Sequence, residues 1–210
     1  MKILLGLLLI VFIFFMFWLK FFQFTSSPLK PVSIVPVTDS GGNKANPPMI
    51  PISVQPIYLQ KDPRWQEEII GGSQETIGQV GCTLCCVSMA LAHYDIQLMP
   101  NQLNELLKIN QGYTQQGWLK WHTVSRITHH KTRFAIPSKP RTDLIEAALS
   151  ASEPVIAKIY LQQTQPHWVL IVGKQGNNYL VKDPLGDGQS LDSLSATNGI
   201  IQAIRILKKN

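Results

Sequence analysis

Gly81-Cys82-Thr83-Leu84-Cys85-Cys86-Val87-Ser88-Met89-Ala90-Leu91 is the stretch on which the reading of this chain turns. Its apolar residues fall on nearly every side of a 3.6-residue period. The segment from Thr83 to about Tyr94 therefore reads as a helix buried all round, not one laid on a surface. Cys82 stands at the head of that helix, directly after Gly81. A thiol there has unpaired backbone N–H groups and the positive end of the helix dipole beside it, and both favour an anion. The thiolate is the nucleophilic form of cysteine. Cys85 and Cys86 lie inside the same apolar helix, where free cysteine behaves as a small buried hydrophobe. Cys82 and Cys85 form a Cys-x-x-Cys pair, but without the preceding strand of a redox helix and without a second ligand pair for zinc.

Downstream, Pro100 opens a helix to Ile109 with Leu103, Leu106 and Leu107 at helical spacing. A third helix is expected from Gly117 to about Thr128. A fourth starts at Asp143, which with Glu146 has the form of a capping box. After Pro154 the pattern changes. Val155–Leu161, His167–Gly173, Tyr179–Asp183 and Ile200–Ile206 are short, rich in β-branched residues and separated by turns such as Gly176-Asn177-Asn178. Helices followed by strands indicate an α+β fold with an antiparallel sheet.

The sheet supplies a base. His167-Trp168-Val169-Leu170-Ile171-Val172-Gly173 and Tyr179-Leu180-Val181-Lys182-Asp183-Pro184 read as the two arms of a hairpin. A register pairing odd with odd positions puts His167 on the face that carries Val181 and Asp183; the other parity separates them. Asp183 precedes a proline, which holds it extended at the strand end. A cysteine at a helix start, a histidine on a strand and a carboxylate to orient that histidine make up a nucleophilic constellation. His167 takes the thiol proton and returns it to a leaving amine, and Asp183 fixes the imidazole's tautomer. The Cys82 backbone N–H and one side-chain amide would hold the oxyanion. Gln60, Gln74 and Gln79 are the candidates for that amide.

Further motifs lie around these residues: Tyr58-Leu59-Gln60-Lys61-Asp62-Pro63-Arg64-Trp65, Thr76-Ile77 ahead of Gly81-Cys82, Met89-Ala90-Leu91, Pro100 with Leu103, Gly112-Tyr113, Trp121, His167-Trp168-Val169 and Lys182-Asp183-Pro184. Together, over about residues 57 to 190, they resemble the stand-alone relatives of the bacteriocin-processing, double-glycine leader peptidases. The resemblance implies a papain-like cysteine peptidase fold and cleavage of peptide bonds through a thioester. It implies Cys82 as nucleophile, His167 as base, Asp183 as third member and Gln60 as oxyanion donor, by its Gln-x-Asp context. The transporter-linked members of that family have the glutamine six residues before the cysteine, where this chain has Thr76, and they carry Asp-Cys-Gly. No transporter membrane domain or ATPase motif accompanies the motifs here.

The N-terminus is of another character. Ile3 to Leu19 is an uncharged run of 17 residues, roughly 26 Å long as a helix, at the short end for a bilayer. No Ala-x-Ala site follows it, so residues 1–24 are expected to be an uncleaved transmembrane signal-anchor. Residues 25–56 hold seven of the fourteen prolines and Gly41-Gly42 without amphipathic period, the composition of a disordered tether. Residues 57–210 are then the peptidase domain, expected on the extracytoplasmic side of a single-pass protein.

The net charge of +6 is shared with the N-terminal fifty residues, where four Lys meet one Asp. The remainder is only mildly basic and has no Lys/Arg cluster interleaved with aromatics, which argues against a nucleic-acid partner. Nothing in the sequence requires a cofactor or metal. The expected partner is a peptide or protein substrate, and the oligomeric state is open. The same residues would serve an amidase or transpeptidase. A protein of another class, a non-catalytic membrane-anchored binding or dithiol redox protein, would keep the fold without the hydrolysis. Trp65, Trp118 and Trp121 are expected to pack.

Overall fold

The computed structural model describes residues 51–161, 164–195 and 201–210. By internal contacts the chain divides into Met1–Asn43 and Lys44–Asn210, and the described residues belong to the second unit. The expected anchor and most of the expected tether lie outside the described residues. No helix among those described is long and apolar enough to cross a membrane.

Among the described residues, the five helices are α1 (Ile77–Val80), α2 (Cys82–Ala92), α3 (Pro100–Ile109), α4 (Trp121–Ile127) and α5 (Thr142–Ser150). The strands are β1 (Thr132–Ala135), β2 (Val155–Leu161), β3 (Gln165–Gln175), β4 (Asn178–Lys182), β5 (Asp192–Ser195) and β6 (Ala203–Lys209). They form one sheet in the order β1-β6-β2-β3-β4-β5, antiparallel throughout. The fold class is the α+β expected.

Helix α2 is the centre of the core. Every residue in it except Thr83 is buried, and it packs against β2 and β3. Opposite it, Val155, Ala157, Val169, Ile171, Val181 and Ile204 are buried in the sheet. The alternation of apolar residues is weak here because residues on both faces of the central strands are covered, as Ile156 and Leu170 are fully buried too. Helix α3 is one-sided, with Leu103, Asn104 and Leu107 turned inward. Its first turn uses Pro100, which has no N–H to lose.

The structure departs from the sequence reading in several places. The helix expected from Gly117 starts only at Trp121. Residues 112–120 form a tight hairpin instead, in which Thr114 N donates to Trp118 O at 2.8 Å and Lys120 N to Gly112 O at 2.7 Å. Gly117 turns it with φ +77°, a conformation suited to glycine. The hairpin leaves Trp118 72 % exposed, so this tryptophan does not pack. The box expected of Asp143 and Glu146 does not form, because Arg141 is the N-cap, Asp143 pairs with it, and Glu146 pairs with Lys174 across to β3. Strand β1 precedes α5, so helices and strands are not fully segregated. Ordered packing also begins before Ile57: Ile52 and Val54 are buried, and Ile52 N donates to Val172 O at 2.6 Å.

Candidate active site

Gly81 is shared by two helices, ending α1 and capping α2. Its N–H donates to Ile77 O at 2.7 Å, and its carbonyl accepts from Cys85 N at 3.1 Å. A Cβ at this position would lie 2.5 Å from both Ile77 O and Ile77 Cγ2. Glycine is required here for space, since its φ of −78° suits any residue. This close turn sets Cys82 as the first residue of α2, with its sulfur 4.0 Å from Val80 O.

His167 lies on β3, opposite Ile159 of β2, and is buried. In the neighbouring pair, Ile171 stands opposite Val181 and Leu170 opposite Lys182, the odd-with-odd register. A bulge follows between Ile171 and Gly173, so the irregularity falls at the turn end of the hairpin and leaves the His167 end in register. Asp183, one residue past β4, comes onto the His167 face. His167 Nε2 and Asp183 Oδ1 are 2.7 Å apart. That leaves Nδ1 free of Asp183, and Cys82 is near enough to the ring to act on its charge. Burial pulls the imidazole's pKa down, but the hydrogen bonds and charges of Asp183 and Cys82 outweigh it and raise the value to about 9. His167 is an imidazolium at neutral pH.

Asp183 is itself braced. Its Oδ1 accepts Leu185 N at 2.7 Å, and its carbonyl accepts Gly186 N at 3.0 Å. Farther along the loop, Asp187 accepts Gln189 N, Ser190 N and Ser190 Oγ, which draw its pKa down to about 2.

Among the three glutamines, Gln60 alone is buried. Gln74 is exposed, and Gln79 is exposed with its Oε1 accepting Thr76 N at 2.8 Å. Gln60 N donates to Pro184 O at 2.8 Å and Gln60 Nε2 to Gly78 O at 3.0 Å. The residue thus bridges the segment after Asp183 and the segment before Cys82. One Nε2 hydrogen is left over, and Oε1 has no partner among the described residues. The Leu185 amide and the carbonyls of Gly78 and Pro184 hold this frame. As backbone groups they leave no side-chain signal in a sequence.

The profile of the peptidase C39 family matches residues 75–196, more than half of the chain. The chain belongs to the peptidase C39 family. It is a cysteine peptidase. The C39 fold is seen also in its likeness to a C39-like peptidase from Bacillus anthracis, at 13 % identity and TM-score 0.55 over 79 % of this chain and all of that one. The C39 chain is similar too to the peptidase domain of Streptococcus ComA, a bifunctional ABC transporter of a quorum-sensing pathway, at 16 % identity and TM-score 0.45, covering 61 % of this chain and 91 % of that one. A double-glycine-motif protease from an AMS/PCAT transporter, solved with a leader peptide, gives 12 % identity and TM-score 0.47 over 78 % and 98 % of the two chains. No curated protein matches.

The three cysteines of this C39 peptidase differ in setting. Cys85 and Cys86 have no exposed surface, and burial first, then the charge of Cys82, pushes both their pKa values far up, so both stay thiols. Cys86 Sγ donates to Trp168 O at 3.4 Å. Of the three, Cys82 is the one that acts on the charge of the His167 ring.

Proposed function

We propose that this C39 peptidase hydrolyses peptide bonds by an acyl-enzyme mechanism in which Cys82 is the nucleophile, His167 the acid–base, Asp183 the orienting carboxylate and Gln60 the oxyanion donor. The observation that carries the reading is the His167 ring hydrogen-bonded to the Asp183 carboxylate at 2.7 Å, with Cys82 near enough to act on its charge. An imidazolium beside a thiolate is the resting pair of such a site. The thiolate attacks the carbonyl carbon, and charge passes to the carbonyl oxygen. The Cys82 N–H and the uncommitted Gln60 N–H stabilise that oxygen, each donor contributing about 3 kcal/mol at the barrier. His167 gives its proton to the leaving amine, whereupon the thioester forms. It then takes a proton from water, which attacks the thioester and frees Cys82. Asp183 keeps the ring in the orientation that serves both transfers.

The substrate is a peptide or protein chain. Residues 1–24 anchor the enzyme as a single transmembrane helix, with the 17-residue apolar run as support. The catalytic domain then acts outside the cytoplasm.

Two measurements test the reading. Iodoacetamide at pH 6 should place one adduct on Cys82 and abolish peptide hydrolysis, and His167→Ala should prevent the adduct. Equal labelling of all three cysteines, or none, sinks the assignment. For the anchor, the full chain should stay in the membrane pellet after alkaline carbonate washing, and its catalytic domain should be removed by protease added outside intact cells.

A further inference from the structure

The mechanism uses one cysteine of three, and a second thiol lies one turn away in the same helix. Positions 82 and 85 are i and i+3 on α2, which sets their Cα atoms ~5 Å apart, inside the roughly 4.4 to 6.8 Å span of disulfides. The side chains sense one another: after burial, the charge on Cys82 is the next cause that pushes up the Cys85 thiol. Cys86 is placed differently, because its thiol is turned to Trp168 O on β3. Access differs as well. Cys82 is 8 % exposed, whereas Cys85 and Cys86 are at 0 %, so an oxidant from solvent meets Cys82 first. All three are free in this structure.

We propose that Cys82 and Cys85 are a reversible oxidation site, at which a hydroperoxide converts the active-site thiol to an intrahelical Cys82–Cys85 disulfide that silences the peptidase. The proposal rests on Cys82 being the nucleophile. In the first step the Cys82 thiolate attacks one peroxide oxygen. The O–O bond breaks, an S–O bond forms, and the departing oxygen takes the His167 proton and leaves as water or an alcohol. Sulfur is oxidised by two electrons and the peroxide is reduced by two. In the second step the Cys85 sulfur attacks the Cys82 sulfenic acid. The S–S bond forms, the S–O bond breaks, and the hydroxyl leaves with the Cys85 proton as water. Cys85, a buried thiol held away from solvent, reacts with no external oxidant and only with the sulfur beside it. The disulfide removes the nucleophile but guards it from sulfinic and sulfonic acids, and a dithiol restores it.

The test uses the full-length enzyme. The reduced protein is first labelled with iodoacetamide, which establishes Cys82 as the nucleophile independently of any oxidation. A second sample is treated with hydrogen peroxide, its remaining thiols are blocked with N-ethylmaleimide, and the peptide spanning Gly81–Leu91 is mapped. The expected product is two hydrogen masses lighter, with maleimide on Cys86 alone, and dithiothreitol restores at least most of the lost activity. With Cys85→Ala the same peroxide dose should inactivate the enzyme, with recovery falling at least five-fold and Cys82 found as sulfinic or sulfonic acid; Cys86→Ala should behave as wild type. Cys85→Ser serves where the alanine variant does not fold, since serine keeps the size but cannot resolve a sulfenic acid. A Cys82–Cys86 bond, sulfinic acid on wild-type Cys82 without a disulfide, or equal recovery in Cys85→Ala and wild type overturns the proposal. If iodoacetamide still marks Cys82 and stops hydrolysis in those cases, the nucleophile assignment survives. If it does not mark Cys82, that assignment fails by itself.

Discussion

Asp183 Oδ1 stands 2.7 Å from His167 Nε2 and accepts the Leu185 backbone N–H at the same distance. The carboxylate is therefore fixed from its own chain before it touches the ring, and it orients His167 without a side-chain search. Asp183→Asn keeps the size but loses the charge that helps hold the imidazolium. The wild-type kcat/KM should decline above about pH 9 as His167 gives up its proton, and in Asp183→Asn that decline should begin at lower pH. The rate at the optimum should fall by about ten-fold to ten-thousand-fold. A pH–rate profile of the two proteins on one peptide substrate checks both.

The same raised pKa gives a stability prediction. A histidine at 6.5 unfolded and about 9 folded binds its proton more tightly in the native state. Its stabilisation is complete below about pH 6.5 and is lost as pH rises through about 9, a change on the order of 3 kcal/mol. Unfolding in urea should therefore show the gap between wild type and His167→Gln widest near pH 6 and narrowing toward pH 10. A gap that widened with pH would contradict the protonated assignment.

Gln60→Ala should lower kcat by about a hundred-fold or more while KM changes little, because the lost N–H acts on charge that develops only in the transition state. Its backbone tie to Pro184 involves no side-chain atom and survives the change. Steady-state kinetics will show the split between kcat and KM. An unchanged kcat would remove Gln60 from the oxyanion hole.

Gly81→Ala should cost both stability and activity. Its added methyl would press on Ile77 O and Ile77 Cγ2, and relief of that contact must move the end of α1 or the start of α2. Overpacking of this kind costs about 1 to 3 kcal/mol. Thermal unfolding and labelling of Cys82 should respond together, with the labelling rate slower even where the protein is fully folded.

Away from the site, Asn104 is fully buried on α3, giving its Nδ2 to Ile69 O at 3.0 Å and accepting Tyr113 OH at 2.8 Å. Tyr113→Phe strands the Asn104 carbonyl oxygen and should destabilise by about 1 to 3 kcal/mol. Asn104→Ala loses both bonds and should cost more. Chemical denaturation of the two variants ranks them.

Elements with a strong periodic or compositional signal could be read from the sequence. Helix α2 starts within a residue of expectation and β2 spans the same residues, because one is apolar on every face and the other is a run of Val, Ile, Ala, Lys, Tyr and Leu that starts directly after Pro154. The helix at Gly117 failed because a hairpin closed by Thr114, Gly117 and Trp118 satisfies its own backbone, and nothing in those residue types distinguishes that from a helical first turn. Strands β1 and β5, four residues each, are too short for alternation to register and owe their place to neighbours already in the sheet. At the site, parity was the open question between His167 and Asp183. The bulge lies beyond Ile171, toward the turn, so it does not disturb the pairing at the His167 end. Gln60 could not be picked from three glutamines by chemistry alone. What distinguishes it is burial and a backbone bond to Pro184, both products of long-range folding.

Strand β6, which follows the sheet's other five strands in sequence, does not lie at the sheet's edge but between β1 and β2. Its pairings close contacts with residues made far earlier, Thr132 to Ala135 on one side and Val155 to Lys158 on the other. A nascent chain that has already exposed Cys82 thus holds neither His167 nor a finished sheet, and contacts of such long sequence separation slow folding. The enzyme is in this sense born safe. A product cut short before residue 203 leaves β1 without its partner and β2 with an open edge.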